Sequence, residues 1–499
     1  MKSDGLIYNS ISNVTVFAVI AIISLLVIPA IVNQYGIKGY GLIVLSRIIL
    51  PTGLISILDL GLSEATTKIV ARNRQNVSNI TSILLFTFLI VAAISCLVAG
   101  AYYFLAEDAV DVINFDSESE KYSLINTLQL TSFFIIPLFL GVIIESLIKG
   151  YEKFIIIRIG ELIVAVCFLL FVYFADYHSV EDLIFTFMVL LSIKYFGFLT
   201  YLIINKPECI KFTTLNLPFK ELIEHIKHAL EVLKSKIIST IYWNIAPMYI
   251  GVMSGLEGVG IYDIVMKIPK LFKSVLGQLN AVVFPYVSRR DSIELNSSVN
   301  ILLKKGLMFE MYIFTPVLFF AAYFSDNIMH ILGVKEYSIW FILMLVWVSF
   351  YLSFSLGSSI AVARRNILNR FNKLSMYMTL IYIILVSLLV PLLDIQGLFV
   401  AMFVSLLITL PFYIRTLSQE MQVKVNVFYK PIVISLLACL FPFMGLFLLP
   451  SSGDDVMIFL IKYVVCLLIS WLIIYRYFLS NDDKKFIIRE VSALINNTK

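Results

Sequence analysis

Apolar windows long enough to cross a bilayer recur from one end of the chain to the other. A hydrocarbon core of about 30 Å asks for about 20 apolar residues at about 1.5 Å per helical residue. Fourteen segments meet that: 12–32, 41–62, 79–104, 123–147, 155–175, 183–204, 237–255, 261–285, 307–324, 339–362, 374–393, 397–414, 431–450 and 456–478. The stretches between them are too short for a separate soluble catalytic domain. The first run, Ile11–Val32, is too long for a signal-peptide core and ends without a small-residue cleavage site, so it reads as a retained span.

One span breaks the pattern. In 261–285 the polar residues Asp263, Lys267, Lys270, Ser274 and Gln278 follow one another at intervals of four, three, four and four. At about 100° per residue they fall within about 80° of one another, and Lys273 lies to one side. A charge at the bilayer centre costs about 2.5–3.5 kcal/mol, so this stripe is expected to line a water-accessible cavity. Span 237–255 has a weaker face of Thr240, Asn244, Pro247, Gly251 and Ser254, which fits helix packing equally well.

A repeat links the two halves. Gly36, Gly39 and Gly41 recur as Gly255, Gly258 and Gly260 at a constant offset of 219, each set in a short turn between two spans. Two six-helix lobes of parallel topology follow, 1–204 and 237–417, joined by a basic cytoplasmic linker at 205–236. Two further helices occupy 431–478, and 479–499 forms a tail. Through the same offset Arg47 maps beside Lys267, which predicts two cations facing each other across a cleft. The plainer alternatives are an Arg47 buried in an ion pair and an Asp263–Lys267 salt bridge one turn apart.

Composition agrees: 60% of the residues are hydrophobic and 14% charged, against about 45–50% and about 25% in soluble domains. Mean hydropathy is +0.94. With the N-terminus inside, the outside segments hold Lys38, Lys121 and Lys335, and every other basic residue outside a span falls inside. Both termini are therefore expected in the cytoplasm. The net charge of +5 is a topology signal and not a nucleic-acid footprint. Four of the five cysteines lie in spans and Cys209 in an inside loop, which argues against a disulfide framework. His225 and His228 read as a solvated helix face. No nucleophile–base set, Walker A loop, paired-cysteine motif or HExxH occurs, so neither enzyme, cofactor nor metal site is expected. Glu145 and Glu310, acids inside spans, are candidate carriers of a coupling ion, H+ or Na+, or else ion-pair partners.

The segment Tyr35-Gly-Ile-Lys-Gly-Tyr-Gly-Leu42, followed by Leu58-Asp59-Leu-Gly61-Leu-Ser-Glu-Ala65, resembles the opening of Wzx-type O-antigen and polysaccharide flippases. These belong to the multidrug/oligosaccharidyl-lipid/polysaccharide exporter superfamily. Gly150-Tyr151-Glu-Lys-Phe154 and Val259-Gly-Ile-Tyr262 are similar to later landmarks, and the resemblance covers roughly the first 290 residues. It implies an all-α, MATE-like pair of lobes in the bacterial inner membrane, with a cavity lined by helices 1, 2, 7 and 8. It also implies an undecaprenyl-diphosphate-linked oligosaccharide as substrate, flipped towards the periplasm by alternating access. Membrane lipids, a polysaccharide polymerase and a chain-length regulator are the implied partners. Many relatives carry an Asp near Asn244, which makes this position a departure. Arg47, Lys267 and Lys270, with Asp263, Ser274, Gln278 and Asn244, form the expected substrate site. A peptidoglycan-precursor flippase, a drug/cation antiporter and a membrane-embedded polymerase are the alternatives.

Overall fold

The computed structural model describes residues 4–49, 57–73, 81–111, 113, 115, 117–151, 153–174, 179–205, 219–288, 296–363, 365–446 and 456–485. Among them every regular element is helical. The chain runs α1 (Asp4–Ile49), α2 (Leu62–Arg72), α3 (Thr81–Phe104), the short α4 (Ala106–Val110), α5 (Glu118–Gly150), α6 (Phe154–Phe174) and α7 (Val180–Asn205). It continues with α8 (Phe219–Ser288), α9 (Asn296–Tyr323), the short α10 (Ser325–Ile331), α11 (Ser338–Ala363), α12 (Arg365–Leu393), α13 (Ile395–Glu420), α14 (Asn426–Leu446) and α15 (Val456–Ile473).

Where fourteen spans are expected, among the described residues eleven helices are long and apolar enough to cross a membrane, or twelve if the pair Glu118–Ser132 and Ile135–Gly150, bent by 54°, is one span. Part of the difference has a backbone cause. α1 and α8 each run through a break that the sequence divides into two spans, at Gly36 (φ 71°, ψ 177°) and Gly255 (φ 67°, ψ −166°). Both are conformations that only glycine adopts without strain. The bend in α5 coincides with Pro137, whose ring removes one helical hydrogen bond.

The apolar residues turned outward are those of a lipid-facing surface. Phe104, Phe174, Leu97 and Leu392 are each more than 70% exposed, which water would not tolerate over so many helices.

Two compact units result, one of residues 15–263, the other of 1–14 with 264–499. The division differs from the repeat-based lobes because the first part of α8 packs in the first unit. In that unit α5 packs on α3, α7 and α2. Leu222 of α8 joins Val70, Leu84, Leu147 and Leu202 in one cluster, and Ala229 joins Leu62, Val91 and Phe139 in another. The segment expected as a linker, 205–236, is thus helical from Phe219 onward and continuous with the span that follows it. In the second unit α9 packs on α11, α14 and α15, and α12 on α13.

Candidate functional site

α8 is helical through the whole polar stripe, so the spacing of Asp263, Lys267, Lys270 and Ser274 does put them on one face. Asp263, Lys267 and Lys270 are half-buried and Ser274 is exposed. The side chain of Gln278, like those of Arg47 and Asn244, lies outside the described residues. Asp263 has a partner that the spacing alone does not suggest: its Oδ2 accepts a 2.8 Å hydrogen bond from the Tyr40 hydroxyl. Tyr40 sits in the first glycine turn and Asp263 three residues after the second.

The two turns meet each other. A Cβ on Gly41 would collide with the carbonyl oxygen of Leu256 and stand 3.2 Å from the Gly260 nitrogen. A Cβ on Gly260 would stand 2.6 Å from the carbonyl oxygen of Ile37 and 3.4 Å from the Gly41 nitrogen. Leu256 and Gly260 are Ile37 and Gly41 shifted by 219, so the contact is reciprocal. Such self-complementary contact is what a twofold relation between two copies produces.

A second cluster surrounds Asp59. Leu60 (φ 51°) and Gly61 (φ 74°) are both left-handed, and the Leu62 N–H reaches the Asp59 carbonyl at 2.9 Å. That is a type I′ reversal, which favours Gly, Asn or Asp at both central positions; leucine there is strained. Gly61 cannot carry a side chain for another reason as well, because a Cβ would strike the carbonyl of Ala229 in α8. Asp59 is 1% exposed. Its carboxylate accepts from the Gly61 N–H at 2.9 Å and from the Ser63 hydroxyl, and the Lys236 ammonium binds both of its oxygens at 3.0 and 2.9 Å. Lys236 also reaches Glu64 at 2.6 Å. In the sequence Asp59 stands out only within a family-like motif, and Lys236 falls in the expected linker.

The two acids singled out as ion-carrier candidates differ in their surroundings. Glu145 pairs with Lys149 at 2.8 Å on its own helix and with Lys194 of α7 at 3.8 Å. Glu310 of α9 is 6% exposed, and among the described residues its one hydrogen bond comes from the Ser355 hydroxyl of α11 at 3.4 Å. His225 departs from the solvated face expected of it: it is 5% exposed, with Nε2 3.2 Å from the Thr87 hydroxyl.

The Polysaccharide biosynthesis protein family matches residues 6–291. No curated protein matches the chain. Among solved structures the chain is similar to the lipid II flippase MurJ in an inward closed conformation, at 15% identity and a TM-score of 0.66, over 92% of this chain and 98% of that one. It is similar to an inward-facing multidrug resistance MATE family transporter of the MOP superfamily, at 10% identity and a TM-score of 0.64, over 83% and 98%. A MOP superfamily transporter from Pyrococcus furiosus follows at 10% identity and a TM-score of 0.57, over 86% and 99%. At these identities the likenesses establish the fold.

Proposed function

The chain belongs to the polysaccharide biosynthesis protein family, and from that premise we propose that it flips undecaprenyl-diphosphate-linked oligosaccharide repeat units from the cytoplasmic to the outer leaflet. The membrane in this reading is the bacterial inner membrane and both chain ends are cytoplasmic. The observation that carries the proposal is the cationic stripe of α8, where Lys267 and Lys270 stand half-buried on the face that also holds Asp263 and Ser274. A diphosphate headgroup carries the complementary charge, and attraction strengthens where water is partly excluded. The lipid tail stays in the bilayer. Arg47, Asn244 and Gln278 complete the proposed site. The repeats 1–204 and 237–417 are the proposed moving halves, supported by the matching glycine breaks. A polysaccharide polymerase and a chain-length regulator are the proposed downstream partners.

Removing one charge-assisted contact to phosphate costs about 1.5–3 kcal/mol. Lys267→Ala and Lys270→Ala should therefore each slow flipping by about one to two orders of magnitude. The measurement uses purified protein in vesicles carrying a lipid-diphosphate oligosaccharide, with a peptidoglycan precursor as the competing probe. Membrane abundance should stay normal. Full rescue of transport by Asp263→Lys combined with Lys267→Asp would leave a structural pair in place of the substrate site. Preference for the peptidoglycan precursor would replace the substrate.

Orientation has its own test. In a cysteine-free background, Ser119→Cys should react with an impermeant reagent in intact cells and Ser297→Cys should not. The reverse pattern would invert the topology.

A further inference from the structure

Glu310 and Glu145 are both carboxyls inside spans, and the surroundings that separate them assign different roles. Glu145 has two ammonium partners and stays a paired anion. Glu310 is buried at 6% exposure where α9 packs on α11, α14 and α15. Among the described residues no ion pair reaches it, and its hydrogen bond from Ser355 is long. Among the described residues of the packed elements, Tyr351, one turn before Ser355 on α11, is the titratable side chain beside it. Lys305 on its own helix is paired with Asp483 at 3.0 Å and Lys304 is exposed. Lys430 of α14 is exposed, and neither it nor the half-buried Lys462 of α15 pairs with Glu310.

A carboxylate without a cation or a set of donors is not stable in such a place, whereas the protonated acid is an ordinary polar group with an O–H to donate. A buried acid that is neutral in one conformation and ionised in another is how a membrane protein carries a proton. A hard cation needs several oxygen ligands, and among the described residues Glu310 meets one hydroxyl, at 3.4 Å.

We propose that Glu310 is a proton-binding site that couples transport to a proton gradient, loading from outside and unloading to the cytoplasm as substrate moves the other way. The proposal rests on the transport reading above. Loading forms one O–H bond on a carboxylate oxygen, and unloading returns that proton to water. Ser355 acts as a positioning residue, holding the carboxyl through its hydroxyl.

The test uses the full chain in lipid vesicles and two readouts. Infrared difference spectra over a pH titration should show the carbonyl band of a buried protonated carboxyl that shifts in D2O and is missing from Glu310→Gln. With a lipid-diphosphate oligosaccharide as probe, an inward proton gradient should speed flipping by the wild type and by Glu310→Asp. Glu310→Gln, close in size and shape, should still exchange substrate but ignore the gradient. A gradient response kept by Glu310→Gln overturns the proposal, and so does a carboxyl band that survives the substitution. If the wild type moves no lipid-linked probe, the transport reading fails, and the infrared titration still decides whether Glu310 binds the proton.

Discussion

Lys236→Ala should lower the stability of the purified protein by about 3–5 kcal/mol, the cost of removing one partner from a buried ion pair. The size comes from what is left behind. Asp59 is 1% exposed, and Lys236 is its cation, bound to both oxygens at 3.0 and 2.9 Å. Without it the carboxylate keeps the Gly61 N–H and the Ser63 hydroxyl but loses its counter-charge. Glu64, half-exposed and 2.6 Å from the same ammonium, is left as a second negative group nearby. Asp59→Asn should cost less, because an amide oxygen can still accept from Gly61 and preserve the reversal. The double variant Asp59→Asn with Lys236→Ala should be more stable than the sum of the two single effects allows, by about 0.5–3 kcal/mol. Denaturation in detergent, followed by a signal independent of transport, measures all four corners of the cycle. Strict additivity would mean that the two side chains do not interact. Lys236→Arg, which keeps the charge and can bind both oxygens, should recover most of the loss.

That pair also shows where the sequence stops being informative. Periodicity and length reveal the helices, because an apolar run of bilayer length has little use except to cross a bilayer. The stripe on α8 is visible for a related reason: its residues lie within one helix, and local spacing fixes their shared face. Asp59 and Lys236 are 177 positions apart, and no local pattern announces a contact of that kind. A partial signal is present in Asp59-Leu60-Gly61, a reversal-forming run at the end of an apolar segment. It locates the turn and not the lysine that holds it. The charge-rich run 219–236 looks like a linker because its polar residues hide an apolar face, Leu222 and Ala229, that packs in the first unit. His225 looks solvated for the same reason, since Thr87, the group that makes its burial tolerable, is 138 positions away. Glu145 and Glu310 are only partly told apart in the sequence. Lys149 is one turn from Glu145, but that no cation pairs with Glu310 among the described residues is a property of packed neighbours.

Substituting alanine at the glycine turns should give a graded loss of stability that follows backbone geometry and not sequence distance. Gly41→Ala and Gly260→Ala should be the most damaging. At each position the Cβ meets backbone of the other turn, Leu256 for one and Ile37 at 2.6 Å for the other. Backbone held in two helices cannot swing aside as a side-chain tip can, so the cost should reach the top of the overpacking range, about 3 kcal/mol. Gly36→Ala differs in mechanism. Nothing lies within 4 Å of its Cβ, but its φ of 71° with an extended ψ is glycine territory, and alanine there costs about 1–3 kcal/mol. Gly255 has nearly the same dihedrals, so Gly255→Ala should fall in the same range. Gly100 in α3 is the control: it has open space and lies within a regular helix, where alanine is favoured by about 1 kcal/mol. Thermal unfolding of the five variants in one detergent separates the classes. Gly41→Ala as stable as Gly100→Ala would mean that the two turns do not touch. A large difference between Gly36→Ala and Gly255→Ala would mean that the breaks, alike in conformation, are not equivalent members of a repeat.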